Sequence, residues 1–261
     1  MKNLFTATIY RIWKSTGIKI VFVLTTLVAA LYYVCGYMVA DGKIDAASAG
    51  SVTGLGDAMM LWIFGPLVTA MVIGADFENK TIHGAIGYGR AKMIINDVLI
   101  YAICMLVLTL PYILGSIVCL AGDVNMDGAQ LTAVSACMDN AVRYQETYGI
   151  GKLALTYLAF ACVTMGQISI CVPVAVKVKK PVVVTAFGFF FGMITALLAT
   201  LAAKVDALQS VYKMTPYAYG LAEVNLDANV SELFLAIVIS VVFTGVMGLV
   251  AWLLFRKAEI K

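Results

Sequence analysis

Six long apolar stretches take up roughly half of this chain, and they constrain its fold more than any other feature. They predict spans at about 20–40, 58–75, 94–121, 153–176, 182–203 and 233–255. A helix needs about 20 apolar residues to cross a bilayer, and each stretch is of that order. Of the 261 residues only 13% are charged, against about 25% in a soluble domain. The sequence therefore predicts an all-α membrane protein with six transmembrane helices.

The segments between these stretches are short, so we expect residues 1–261 to form a single transmembrane domain. A fused ATPase, kinase or DNA-binding module of the usual ~100 residues has no room among them. About seventeen residues precede the first span, which is longer than the apolar core of a secretion signal. We interpret the N-terminus as a membrane anchor that stays in place.

An amphipathic pattern runs through residues 2–17. Its apolar members recur at helical spacing, at Phe5, Ile9, Ile12 and Trp13. Its bases fall elsewhere, at Lys2, Arg11 and Lys14. This favours a separate helix lying in the membrane interface, with a first turn continuous with span one as the alternative.

Charge is distributed very unequally between the two sides. Thirteen of the eighteen Lys and Arg fall in the N-terminal tail, 76–93, 177–181 and 256–261. With four acids, among them Asp97 at the foot of span three, that side carries a net charge of +9. The opposite side has five bases and eleven acids, or −6. Because short positively charged loops stay in the cytoplasm, we expect both termini to be cytoplasmic.

Ionisable and catalytic groups are sparse. Asp57, Asp97 and Glu232 fall at predicted span ends, which leaves the midplane without charge and disfavours an ion-coupled carrier or channel. No P-loop, G-x-S-x-G or H-E-x-x-H motif occurs, so we expect no catalytic residues and no enzyme activity. With one histidine, His83, and no C-x-x-C, we predict neither metal nor cofactor. The cysteines are interpreted as small apolar residues, with a Cys119–Cys137 bridge as the alternative.

The segment 74–92, between spans two and three, is the most informative part of the sequence. It begins with charged residues, continues through a short helical face and ends in Gly87-Tyr88-Gly89 before Arg90. On physical grounds it is either a short cytoplasmic helix between two turns or a solvated basic hairpin.

This segment resembles the cytoplasmic loop of ABC-2 type permeases, the membrane subunits of a class of ABC exporters. The residues that carry the resemblance are Glu78, Thr81, Ile82, Gly87 and Arg90. An N-terminal interfacial helix, six spans and a long outer segment before the last span extend the likeness. Two positions depart from the family pattern: Lys80 replaces a common glycine, and Asn96 a frequent lysine. The chain is also similar to permeases that export antimicrobial or cytolytic peptides, including the phenol-soluble modulin exporters.

The resemblance implies how such a chain works. Two permease subunits, here expected as a homodimer, pair in the membrane, and two cytoplasmic ATPase subunits bind ATP and Mg. The helix from Glu78 to Ile86, which contains His83, is the expected coupling helix that docks into the ATPase. Arg90 is expected to fix the position where the chain returns from this helix to span three. The implied location is a bacterial cytoplasmic membrane, and no nucleic acid is expected as a partner.

Three further patterns lead to expectations. Gly188 and Gly192 form a G-x-x-x-G in span five, interpreted as a subunit contact or as packing within one subunit. Pro66, Pro111 and Pro173 are expected to bend spans two, three and four. The outer segment 204–232 is expected to hold short helices and either a gate or simple anchors, with Tyr212, Tyr217 and Tyr219 suited to the headgroup level.

The leading hypothesis is an ATP-driven exporter of hydrophobic or amphipathic peptides. A non-transporting immunity or assembly subunit, or an exporter of lipid or drug-like molecules, is the alternative. The apolar spans offer a small ionic solute nothing to replace its lost hydration. A lipid or drug fits them almost as well as a peptide, so the choice of a peptide rests on the resemblance to the peptide exporters.

Overall fold

The structure is a computed structural model of the chain. It describes residues 2–44, 54–74, 89–122, 149–178, 180–202, 204–219, 224, 226 and 228–257. Within those ranges every regular element is a helix, and six helical segments are long and apolar enough to cross a membrane. This confirms the predicted all-helical class and the prediction of six helices of spanning length and hydropathy.

The spans agree with their predicted positions to within a few residues. Spans one, two and three are Thr16–Ala40, Asp57–Thr69 extended by a π-helical turn at Ala70–Gly74, and Arg90–Ala121. Spans four, five and six are Gly149–Ile168 with Cys171–Val178, Pro181–Ala202, and Val230–Lys257. Span three begins four residues earlier than its apolar stretch predicts, because helical hydrogen bonding continues through Arg90 and Lys92 where hydropathy falls.

The N-terminal helix, Lys2–Lys14, is separate from span one, as the amphipathic pattern indicates. The break lies at Ser15, whose backbone is extended at φ −67° and ψ 115°, and span one begins at Thr16. The predicted helix over 2–17 is therefore three residues too long at its C-terminal end. A second short helix, Asp206–Tyr212, lies in the outer segment where short helices are expected.

Span four forms the centre of the bundle. Its most apolar window is 83% buried, against 18% for span five and 28% for spans one and six. Span six packs mainly on span four, span five on span two, and span one on span three. A tightly packed central helix surrounded by helices with exposed apolar faces is the arrangement expected where those outer faces meet lipid.

The centre of span four is interrupted at Ser169–Ile170. Pro173 has no N–H to donate to the carbonyl of Ser169, and that carbonyl accepts from the N–H of Val172 at 3.0 Å instead. The Ser169 hydroxyl donates to the carbonyl of Gly166 at 2.7 Å. Pro173 therefore interrupts its span. Pro66 and Pro111 lie inside helices that continue past them, and the π-helical turn of span two begins four residues after Pro66.

Buried tyrosines tie neighbouring spans together. The Tyr33 hydroxyl donates to the carbonyl of Tyr112 at 2.6 Å, and Tyr101 donates to that of Met165 at 2.6 Å. Tyr112 donates to the carbonyl of Leu55 at 3.0 Å. Each phenol finds a main-chain acceptor on another element, which is how a buried hydroxyl is satisfied where water is absent.

Candidate functional site

Most of the residues predicted to contact an ATPase fall outside the described part of the chain. Glu78, Thr81, Ile82, His83 and Gly87 belong to this group. The two ends of their loop are described: span two ends at Gly74, and span three begins at Arg90 after Gly89. Gly89 has a φ of 101°, in the left-handed region that glycine adopts readily, so it suits the sharp start of span three.

A buried group of polar side chains lies next to these two loop ends. It consists of Thr8 and Arg11 on the N-terminal helix and Asn96 and Asp97 on span three, and we call it the polar cluster. The Asn96 amide donates to the Thr8 hydroxyl at 3.2 Å, and that hydroxyl donates to the carbonyl of Leu4 at 3.0 Å. The N-terminal helix is thus held to span three by a relayed hydrogen bond.

Arg11 extends the polar cluster to span two. Its guanidinium donates a long hydrogen bond of 3.5 Å to the carbonyl of Val72. Val72 lies in the π-helical turn that ends span two, where the last carbonyls lack partners inside the helix. The N-terminal helix therefore contacts both segments that lead into and out of the loop 75–88.

Asp97 is the least solvated charge of the polar cluster. It is 2% exposed, and one of its carboxylate oxygens has no hydrogen-bond partner in the described structure. Burial lowers the pKa of Arg11, and the negative charge of Asp97 acts in the opposite direction. A buried carboxylate is costly unless a positive charge or donors compensate it, so Arg11 and Asp97 depend on each other electrostatically.

Sequence reasoning missed this cluster because it treated the two elements separately. It placed Asp97 at the foot of span three, whereas the observed helix starts at Arg90 and buries Asp97 about two turns in. Asn96 was read only as a departure from the family's lysine, and here its amide binds Thr8. The usable signal is the Asn-Asp pair inside an apolar stretch, with Arg11 on a nearby amphipathic helix.

A second candidate site lies near the middle of the bundle, around Tyr217. Its ring stacks on Trp62 of span two, with centroids 6.5 Å apart and planes at 21°. It meets Phe191 of span five and Phe243 of span six edge-on, each at 5.7 Å. We call these four residues the aromatic cluster.

The aromatic cluster is deep in the bundle. Phe191 and Phe243 lie near the middle of spans five and six, which run Pro181–Ala202 and Val230–Lys257. The outer segment must therefore turn inward to bring Tyr217 between them. The prediction of a headgroup-level Tyr217 was wrong, because the ring is enclosed by aromatic side chains from three spans.

Hydrogen bonds hold this inward turn to the break in span four. The Tyr217 hydroxyl donates to the carbonyl of Gln167 at 2.9 Å, and the Gln167 amide donates to that of Pro216 at 3.1 Å. The Tyr212 hydroxyl donates to the carbonyl of Tyr217 at 2.8 Å. Burial raises the pKa of the Tyr217 phenol, so the hydroxyl stays protonated and able to donate.

Gly166 makes room for the inward turn. A Cβ on Gly166 would lie 2.9 Å from the Ser240 side chain and 3.1 Å from Pro216. Real Cβ atoms are essentially never found as close as 2.9 Å to another heavy atom. Ser240 and Pro216 can therefore pack this closely against span four only because Gly166 has no side chain.

Gly188 and Gly192 of span five face span two of the same chain. A Cβ on Gly188 would overlap Pro66, and one on Gly192 would lie 2.6 Å from the Trp62 ring. This is the packing within one subunit that the sequence left open. A subunit contact through the same two glycines would require Pro66 and Trp62 to move.

The cysteines and acids of the described residues do not gather at one place. Cys35, Cys104, Cys119, Cys162 and Cys171 carry free thiols. In the same ranges no group of three or more His, Cys, Asp or Glu side chains is arranged to hold a metal ion. His83 and Cys137 lie outside those ranges.

The described geometry thus has one polar site beside the ends of a loop and one aromatic site near the middle of the bundle. No family model, curated protein or solved structure matches this chain.

Proposed function

We propose that the chain is the membrane-spanning permease subunit of an ATP-driven ABC exporter. Two copies pair in the membrane, and two separate cytoplasmic ATPase subunits bind and hydrolyse ATP with Mg. Both termini and the loop 75–88 are cytoplasmic. The proposal draws on the loop residues Glu78, Thr81, Ile82, Gly87 and Arg90, the charge asymmetry of +9 against −6, and the six spans.

The polar cluster is the observation that carries this proposal. A loop that receives force from an ATPase needs rigid attachments at both ends, because a two-state element passes on motion only if its ends move with it. Arg11 contacts the last turn of span two, and Thr8 and Asn96 connect the same N-terminal helix to span three. Movement of the loop would thus displace the N-terminal helix and both spans together.

The aromatic cluster is suited to controlling the release of cargo, the step that follows ATPase coupling in a transport cycle. Tyr217 is held by hydrogen bonds to one broken span and by ring contacts to three others. In this proposal the inward turn closes the outer end of the path, and cargo leaves when the turn withdraws. A hydrophobic or amphipathic peptide is the cargo, because the described spans offer apolar and aromatic surface to it.

Co-expression with a P-loop ATPase encoded beside this chain tests the proposal. Glu78→Lys and Ile82→Asp should leave the permease in the membrane, release the ATPase on purification and abolish transport. The matched controls are Glu259→Lys and Ile260→Asp, which make the same chemical changes in the C-terminal tail. Normal ATPase retention and transport in both loop variants would place the ATPase contact elsewhere.

Single-cysteine labelling tests the orientation. In a background without the six native cysteines, His83→Cys should react with an impermeant maleimide only after the membrane is opened. A cysteine at Ser51, in the loop between spans one and two, is the opposite control and should react in intact cells. Labelling of position 83 from outside would reverse the topology.

Reconstituted permease and ATPase test the cargo. Amphipathic helical peptides should stimulate ATP hydrolysis, and scrambled peptides of equal composition should not. Equal stimulation by both, or a response only to sugars or ions, would reject a peptide cargo. Peptide binding without stimulated hydrolysis would favour the immunity or assembly role.

A further inference from the structure

An apolar groove runs between the first turns of span three and the last turns of span six. Its volume is about 340 Å³, and apolar residues and glycines line it: Ala91, Ile94, Ile95, Val98, Leu99, Gly245, Gly248, Leu249 and Trp252. It lies in the half of the bundle that contains the polar cluster and the C-terminal end of span six.

Two glycines of span six create the groove. At Gly248 the two spans are in contact, since a Cβ there would lie 3.0 Å from Val98. One turn earlier, at Gly245, no described atom lies within 4 Å of an added Cβ. The spans therefore separate just above their point of contact and leave the groove open at its side.

The length and lining of the groove suit a hydrocarbon chain. Ala91 to Leu99 rises about 12 Å along span three, and the lining side chains are apolar. One extended acyl chain would lie along this wall with its apolar surface against Ile95, Leu99 and Leu249.

Both walls of the groove end in a base on the same side. On span three, Lys92 shares a helical face with Ile95 and Leu99, at spacings of three and seven residues, and its side chain is exposed. On span six, Arg256 continues the face of Leu249 and Trp252, and its guanidinium lies 5.9 Å from the Trp252 ring centroid. An apolar groove with a cation at the end of each wall complements a molecule with an apolar tail and an anionic head.

We propose that this groove binds one anionic phospholipid from the leaflet on the side of the termini. The acyl chain occupies the groove beside Gly245, and the phosphate lies between Lys92 and Arg256, with Trp252 at the boundary between head and tail. This site concerns the membrane environment of the chain and does not depend on the proposed export activity.

The test uses the purified full chain in nanodiscs that contain spin-labelled phosphatidylglycerol or phosphatidylcholine. The wild type should hold phosphatidylglycerol about tenfold more tightly, since each base near the headgroup adds several-fold. Gly245→Leu fills the groove and should reduce binding of both lipids, with Gly245→Ala giving a smaller loss. Val241→Phe is the control, because it enlarges an exposed apolar side chain of span six outside the groove.

Neutralising the two bases tests recognition of the lipid headgroup separately from binding of the acyl chain. Lys92→Gln with Arg256→Gln should abolish the preference for phosphatidylglycerol and weaken phosphatidylcholine, whose phosphate is offset by its choline, to a smaller extent. Lys19→Gln, at an exposed base on the same side of the bundle, should keep the preference. Thermal unfolding of each variant shows that it remains folded.

Three results would overturn the proposal. Equal binding of the two lipids by the wild type would remove the role of the bases. Unchanged binding in a folded Gly245→Leu variant would remove the groove. Efficient disulfide formation between two copies that carry Gly245→Cys would assign this face to an interface between subunits.

Discussion

The polar cluster and the aromatic cluster join helices in opposite ways. At the polar cluster a few hydrogen bonds connect the N-terminal helix to spans two and three, and the negative charge of Asp97 acts on Arg11 through space, with no direct ion pair between the two in the described structure. One Asp97 oxygen has no described partner. At the aromatic cluster, ring contacts reach three spans and main-chain hydrogen bonds reach the fourth. The first depends on charge and the second on shape.

This difference bears on how each site can change state. Ring packing is cooperative and resists partial displacement, because interiors tolerate few alternative arrangements. The polar cluster instead ties the N-terminal helix by hydrogen bonds to the last turn of span two and to span three, so the three segments move together. The aromatic cluster is therefore suited to being fully closed or fully open, and the polar cluster to following the loop beside it.

The largest effect should come from Tyr217→Ala. Removing a ring that contacts three spans should lower the free energy of unfolding by about 3 kcal/mol, by analogy with other large-to-small aromatic substitutions. Tyr217→Phe keeps the ring and loses only the donor to Gln167, which should cost about 1 kcal/mol. Thermal unfolding in detergent measures both, and similar losses would show that the hydrogen bond outweighs ring packing.

Arg11→Gln should come second, at about 2 kcal/mol, because it leaves the buried Asp97 without its nearby positive charge. Asp97→Asn added to Arg11→Gln should recover part of that loss, since the remaining groups are then neutral. A double-mutant cycle by thermal unfolding measures the coupling. Additive losses would show that the two charges act independently and would weaken the contrast between the sites.

Gly166→Ala tests the close packing around the inward turn and changes no charge. The added Cβ would meet Ser240, including its main chain at 3.0 Å, so we expect a loss of about 2 kcal/mol from overpacking. Gly245→Ala is the matched control, because it adds the same atom to a helix in open space, where alanine should be neutral or slightly stabilising. Equal stability of the two variants would mean that span six and the inward turn can shift to accept a side chain.

Thr8→Val should have the smallest effect. It removes the hydroxyl that links Asn96 to Leu4 while keeping the volume, at an expected cost of about 1 kcal/mol. The N-terminal helix should detach more often, which hydrogen exchange over residues 2–14 would detect as faster exchange. Thr26→Val, on the exposed face of span one, makes the same change away from the cluster and should leave that exchange unaltered.

Much of the fold follows from local properties of the sequence. The length of each apolar stretch is set by the thickness of a bilayer, so the number, order and approximate limits of the spans could be predicted from hydropathy. The N-terminal helix could be predicted from its periodicity, and the break in span four from Pro173, because both effects act within a few residues.

The candidate sites were decided by tertiary structure. Asn96 and Thr8 are 88 residues apart, Arg11 and Val72 are 61 apart, and Tyr217 and Gln167 are 50 apart. No periodic pattern encodes such pairings, because hydropathy states only that a side chain prefers an apolar or a polar environment. The sequence by itself determined which segments are helical and which side gathers the bases; packing alone decided that Asp97 lies near Arg11 and that Tyr217 enters the bundle, because each depends on how several helices share one interior.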